Sequence, residues 1–308
     1  MITLTTGKQF SPRHLNMSAI PRQVHLIWIQ GEDALAQAKP WWKERKAAWE
    51  KHMPTWKLKV HSDKSIRRLF QDPMYEALQP LYDAPNAPMA WKADIARYML
   101  VHKHGGMYAD ITYEVIRNFD WMLHGRNVDF VFLHHDVQRA EKDIFMNTNN
   151  CWFAATQHHP ILTAILLRLE TAAVPQSFPF SVIYKVTGPQ QLWRAVKPHL
   201  QSPRVRAIPS VSLDPSVTSL SYTPCEGANA CRSALPCAVA IHHGQMSYVS
   251  PAERFGFHVF QAVRRNYLPA LIFSILLLAI IIVATVIITR TLTRKYDQCQ
   301  RSCGLVKR

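Results

Sequence analysis

The stretch AWKADIARYMLVHKHGGMYADIT, residues 90 to 112, narrows the choice of fold more than any other part of the chain. Trp91, Ile95, Tyr98 or Met99, and His102 recur at i, i+4, i+7 and i+11, which predicts a helix over Met89 to His104. Gly105-Gly106 end it in the manner of a C-cap, and Met107 to Asp110 then reads as a strand. A helix handed through two glycines into a strand that ends in a carboxylate is a unit of an α/β sheet.

The flanking segments agree. Val24 to Ile29 is a short apolar run suited to a buried strand, Leu58 to His61 is a second, and Val128 to Leu133 a third. Ala34 to His52 is charged, rich in Trp and helical in pattern, with Pro40 near its start or breaking it; Pro160 to Ala173 reads as a helix begun by proline. No internal repeat or low-complexity tract interrupts this alternation. Hydrophobic residues at 48% supply enough apolar area for a packed body, so disorder is expected only near the ends.

Tyr267 to Thr289 carries no charged residue, and Arg264, Arg265, Arg290, Arg294 and Lys295 flank it. At ~1.5 Å per residue such a segment covers roughly 35 Å, which predicts one C-terminal transmembrane helix and a single-pass anchor in an ER or Golgi endomembrane. The side of the membrane stays open. The basic tail favours a cytosolic C-terminus, whereas the absence of an apolar h-region in residues 1 to 21 argues for a tail anchor with the body in the cytosol. The expected organisation is an N-terminal extension (1–19), a catalytic domain (20–250), a juxtamembrane segment (251–266), the membrane helix (267–289) and a basic tail (290–308).

The net charge of +15 is partly accounted for by that tail, and no basic-aromatic module of a nucleic-acid reader is present. A cleft for a nucleotide diphosphate and a basic membrane-facing surface account for the excess, and nucleic acid is not expected as a partner. Cys225, Cys231 and Cys237 suit a local disulfide or free loop thiols equally; Cys299 and Cys303 suit palmitoylation or free thiols. Asn16-Met17-Ser18 is a glycosylation sequon.

The chemistry concentrates where the argument began. Asp94 and Arg97 lie at i, i+3 on one helix face; alone they would be a surface ion pair worth ~0.3 kcal/mol. Asp110, at the end of a strand on the edge of an open sheet, stands where α/β folds bind ligands. A carboxylate there suits a hard divalent cation on a diphosphate.

These residues resemble the sugar-binding region of glycosyltransferase family 32, whose form is a helix with Ser-Asp-x-x-Arg-Tyr followed by Gly-Gly-x-Tyr-x-Asp-x-Asp. That family includes fungal initiating α-mannosyltransferases and inositolphosphorylceramide mannosyltransferases. Ile20 to Trp28, Met53 to Trp56 with His61 to Asp63, Asn147 to Cys151, His159-Pro160, Thr187 to Pro189 and His242-His243 with Ser247-Tyr248 fall in the family's order.

The resemblance implies a GT-A-like nucleotide-sugar-binding domain of α/β class with an open central sheet. It implies a hexosyltransferase acting, with retention, from GDP-mannose or a UDP-hexose on a membrane-associated lipid or glycan acceptor, and leaves room for a partner subunit. Trp28, Asp94, Arg97 and Tyr108 would bind the donor, with Trp28 alternatively a core tryptophan. Asp94 and Asp110 would be catalytic. Asp110 would hold Mn2+ or Mg2+. Thr112 replaces the second Asp of the motif and is a weaker ligand, so Glu114 or a late histidine, His242 or His243, would complete the shell. A catalytically inactive, nucleotide-sugar-binding or partner-regulating member is the alternative.

Overall fold

The computed structural model describes residues 20–123, 127–134, 148–213, 238–243 and 268–302. They fall in two units, Met1–Tyr248 and Val249–Arg308. Cys225, Cys231, Cys237, Cys303 and Asn16 lie outside the described residues.

In the first unit the described strands are β1 (Gln23–Ile27), β2 (Lys57–His61), β3 (Gly106–Ala109), β4 (Tyr113–Val115), β5 (Phe130–His134), β6 (Thr148–Ala155), β7 (Val205–Pro209) and β8 (Ala240–His242). The helices are α1 (Glu32–Ala38), α2 (Trp42–His52), α3 (Asp63–Arg67), α4 (Gln79–Tyr82), α5 (Met89–His104), α6 (Asp120–Leu123), α7 (Pro160–Glu170), α8 (Phe180–Val186), α9 (Pro189–Val196) and α10 (Ser210–Leu213). Six strands form one open sheet in the order β2-β1-β3-β6-β5-β7, and β4 pairs with β8 in a separate ribbon. The β2-β1-β3 run is parallel, while β6 is antiparallel to both its neighbours, β3 and β5.

Strand alternation distributes the core to both faces. Tyr108, Phe130, Phe132 and Phe153 pack on one side with the apolar residues of α5, α7 and α9. Met107, Val131, Leu133, Trp152 and Ala154 pack on the other with Trp42 and Trp49 of α2. The result is a helix–sheet–helix sandwich, and the α/β expectation with an open sheet holds.

The helix expected over Met89 to His104 forms with those bounds. It buries more than one stripe, Trp91 and then every residue from Asp94 to His102, because it lies centrally on the sheet. Gly105 caps it at φ 64°, and Gly106 opens β3 at φ 94°. A Cβ at Gly106 would come within 2.5 Å of the Gln23 carbonyl oxygen, so the turn that aims β3 at the site needs glycine for space as well as for its dihedral. The segment from Ala34 to His52 is two helices, with the break at Lys39-Pro40-Trp41.

In the second unit, α11 (Leu268–Ser302) is a single helix of 35 residues. Among the described residues, no helix is long and apolar enough to cross a membrane. The helix includes Arg290, and the hydroxyls of Thr285, Thr289 and Thr291 each bond to the carbonyl four residues back. The expected transmembrane helix over 267–289, and with it the single-pass endomembrane anchor, is corrected on this finding.

Candidate active site

Asp94 and Arg97 are not a surface pair. Their side chains are each 7% exposed, and Arg97 Nη2 lies 3.0 Å from Asp94 Oδ1. Every residue of the helix from Asp94 to His102 is buried, so the charges need partners inside. Asn150 of β6 donates from Nδ2 to Asp94 Oδ1 at 2.9 Å, and the Thr187 hydroxyl, in the turn before α9, lies 3.2 Å from Asp94 Oδ2. Oδ1 of Asp94 is therefore engaged twice, and Oδ2 lies within reach of the Thr187 hydroxyl.

Arg97 is tied at every nitrogen. Nε donates to the Ala93 carbonyl at 3.2 Å, and Nη1 to the Asn150 carbonyl at 2.7 Å. Nη1 also faces Asp110 Oδ1 at 3.5 Å, and the guanidinium lies over the Tyr108 ring, 4.5 Å from its centroid. Burial alone would weaken its charge, but Tyr108, Asp94 and Asp110 together raise its pKa above the ordinary arginine value.

Asp110 follows β3 directly and keeps 29% of its side chain exposed. Tyr108 donates its hydroxyl to Oδ1 at 2.6 Å, and His242 of β8 places Nε2 3.4 Å from Oδ2. Burial opposes ionisation, yet Arg97, His242 and the Tyr108 hydroxyl hold its pKa below the usual aspartate value. It is an ionised carboxylate at the carboxyl edge of the parallel strands, opening outward while Asp94 behind it is enclosed. His242 is itself stacked on Tyr113, with ring centroids 4.7 Å apart and 20° between planes.

Trp28 stands one residue beyond β1 at the same edge; its Nε1 is buried and has no hydrogen-bond partner among the described residues. Thr112 accepts the His243 backbone N–H at its carbonyl, at 3.3 Å. Glu114 pairs with His243, Oε2 to Nε2, at 2.9 Å. The structure thus brings Asp94, Arg97, Tyr108 and Asp110 together. It sets Glu114 and His243 against each other and gives Asp110 a different histidine, His242.

Asn150, Thr187 and Tyr98, whose hydroxyl accepts from Asn150 Nδ2 at 3.1 Å, carry the network without having been assigned roles from sequence. The alternation of side chains along a strand is the one signal that separates His242 from His243, and it requires the β4–β8 register to be known.

An acidic strand end beside a buried Asp-Arg pair, in an open mixed sheet, places polar groups where sheets of this class bind ligands. Residues 5–171 match the family model described as capsular polysaccharide synthesis protein, and the chain belongs to that family. It is similar to inositol phosphoceramide mannosyltransferase 3 of Schizosaccharomyces pombe, at 25% identity over 172 residues, 56% of this chain and 43% of that one. Inositol phosphoceramide mannosyltransferase 2 of the same organism is 25% identical over 191 residues, 60% of this chain and 49% of that one. The chain thus spans under half the length of both, and these relatives bear out its resemblance to glycosyltransferase family 32.

Among solved structures, the PaToxG glycosyltransferase aligns with a TM-score of 0.39 at 16% identity, covering 80% of this chain and 86% of that one. A glycosyltransferase involved in glycosylation of the major capsid of PBCV-1 aligns with a TM-score of 0.37 at 12% identity, covering 77% and 98%. Both likenesses are too distant to assign residue roles.

Proposed function

We propose that this chain transfers a hexose from a nucleoside-diphosphate sugar, GDP-mannose or a UDP-hexose, to a hydroxyl of a lipid or glycan acceptor, with retention. The observation that carries the reading is Asp110: an outward-facing carboxylate held ionised by Arg97, at the edge where Trp28 offers an aromatic face for the donor base. Asp94, its Oδ1 held by Arg97 and Asn150 and its Oδ2 beside the Thr187 hydroxyl, is a positioning carboxylate that fixes Arg97 and through it Asp110. It is not free to act as a nucleophile, and a mechanism by way of the donor's own phosphate oxygens needs none.

Asp110 and His242 offer two protein donors, a hard carboxylate oxygen and an imidazole nitrogen. Mg2+ and similar cations on nucleotides commonly take one or two protein ligands and complete their shell with phosphate and water, so these residues fit such an ion. Mn2+ or Mg2+ held there would supply Lewis-acid help to the departing diphosphate. Tyr108 and Arg97 hold the carboxylate in its ionised form and fixed orientation.

The second reading, an inactive nucleotide-sugar-binding member, is favoured by one observation: Asp110 is already contacted by Arg97, Tyr108 and His242, with Thr112 in place of a second carboxylate. Donor hydrolysis without acceptor separates the two. With GDP-mannose, UDP-glucose and UDP-galactose in turn, Mn2+-dependent release of nucleoside diphosphate that a chelator abolishes is the expected result. Binding of the same donors without release under any condition would establish the inactive reading.

A further inference from the structure

Helix α2 lies in the crossover between the parallel neighbours β1 and β2, so it runs antiparallel to them. Its C-terminal residues Trp49 and Met53 line a cleft with Val24 and Leu58, near the starts of those strands. Its N-terminal half reaches toward the end of β1: Lys46 Nζ, which also borders the cleft, pairs with Glu32, four residues past Trp28, and Arg45 feels the charge of Glu114 on β4. That N-terminus has no side-chain cap, and the N-cap residue is Trp41.

Arg45, one turn into the helix, is 8% exposed, and its guanidinium carbon sits 3.7 Å from the centre of the Trp41 ring. Its Nη1 is buried with no hydrogen-bond partner among the described residues. Glu114 lends it charge stabilisation while burial lowers its pKa. A guanidinium nitrogen taken out of water with no partner among the described residues loses free energy in the unliganded protein, which a ligand acceptor at Nη1 would restore. Trp28 also keeps a buried, unused N–H, and Trp28 and Trp41 pack against the same core cluster.

We propose that Arg45, the Trp28 indole N–H and the open N-terminus of α2 form a binding corner for a phosphoryl group. A helix N-terminus favours an anion through its free amides, and the planar fork of arginine matches phosphate oxygens. The phosphoryl group belongs to the donor's diphosphate or to a phosphorylated acceptor. The first source rests on the nucleotide-sugar reading above; the second does not.

Calorimetric titration of the full chain with GDP, UDP and inorganic phosphate tests this. Arg45→Gln is expected to weaken nucleoside diphosphate binding roughly 10- to 100-fold, the range for one charge-assisted hydrogen bond. Arg45→Lys, which keeps the charge without the fork, should recover part of it. Trp28→Phe, which removes only the N–H and the outer ring, should weaken binding by a smaller factor.

A loss confined to inorganic phosphate, with GDP and UDP unaffected, assigns the corner to the acceptor. Phosphate binding that depends on Arg45 in a chain that binds no nucleoside diphosphate keeps the corner and sinks the donor reading. Unchanged affinities for all three probes in a folded Arg45→Gln chain overturn the proposal, as does a natural chain that binds none of them. If Arg45→Gln does not fold, as read by its thermal melt, Trp28→Phe decides: full affinity there overturns the corner.

Discussion

Two polar clusters touch α5, one near its start and one at its end, and they solve burial in opposite ways. Near the start, Asp94, Arg97 and Asp110 are charged and cross-linked by Asn150, Thr187 and Tyr108. At the end, His25 and His61 lie 1% and 2% exposed and are kept neutral. The Gly105 carbonyl can only accept, so His25 Nε2 carries the proton at 2.9 Å. His25 Nδ1 must then accept from His61 Nε2–H, also at 2.9 Å. Burial pushes the two imidazoles down to about 4 and about 2.

The difference lies in access: the charged cluster reaches the sheet edge through Asp110, 29% exposed, where a ligand can share its charge. The interior junction between helix, Gly105 and strand is closed by neutral hydrogen bonds.

The largest test breaks the charged cluster from within. Arg97→Leu leaves Asp94 buried without its cation, and loss of one partner of a buried pair costs about 3–5 kcal/mol. Urea unfolding should show that loss together with loss of transfer. A variant of full stability would mean that Asp94 is held by Asn150 and Thr187 alone.

Asp110→Asn cuts the same cluster at its open end. Because the 29% exposed carboxylate faces the ligand edge, the expected effect is kinetic: roughly a 10²–10³-fold drop in turnover, with the melting temperature little changed. Full turnover in a folded Asp110→Asn chain would remove the mechanism.

How far these clusters could be read in the sequence follows from the range of the signals. The α5 helix, its Gly-Gly stop and the strand before Asp110 are local patterns and form as expected, with Asp110 one residue past the strand. The sheet order β2-β1-β3-β6-β5-β7 is a long-range outcome, and β4, β6, β7 and β8 are fixed by pairings that periodicity does not contain. Asn150 lies 56 positions from the aspartate it holds and Thr187 lies 93, so neither role is local.

Arg45 is a nearer miss. It shares a helical stripe with Trp42 and Trp49 at i−3 and i+4, and a cation on an apolar stripe is a signal in itself. The apolar run before Arg290 was the reverse case, a strong local pattern whose membrane reading the described helix does not support.

The neutral cluster predicts an acid window. The pKa values of His25 and His61 are depressed in the folded chain, so the unfolded chain binds more protons below its own value of about 6.5. Stability is then fully present above about pH 6.5 and falls as the pH drops toward 4. For His25 alone the loss approaches about 3 kcal/mol. Lys59 and the stacked His104 face the same pair and oppose protonation further. His102, also lowered to about 4, adds to the slope.

Asp110 and the other depressed carboxylates stay ionised until the pH is below about 3.8, whereas burial raises the pKa of Asp94, whose protonation works against the histidine slope. Urea midpoints measured from pH 7.5 to 4.5 should fall, and His25→Gln should flatten the curve. An unchanged curve in that variant would place the titration elsewhere.

The smallest effect asks which acceptor holds the last hydrogen of the charged cluster. The Thr187 hydroxyl has one proton and two candidates: Asp94 Oδ2 at 3.2 Å and the Ile183 carbonyl at 3.3 Å. The carboxylate is the stronger acceptor, being charged, whereas the Ile183 carbonyl already receives the backbone N–H groups of Thr187 and Gly188. Thr187→Val keeps the shape and removes only the hydroxyl. If the proton points to Asp94, the change should cost about 1.5–3 kcal/mol, the range for a bond to a charged group; if it points to Ile183, about 0.5–1.5 kcal/mol. A double-mutant cycle with Asp94→Asn separates the cases. Coupling of roughly 1 kcal/mol assigns the bond to the carboxylate, while additivity within about 0.5 kcal/mol assigns it to the carbonyl and leaves Arg97 and Asn150 as the sole clamps on Asp94.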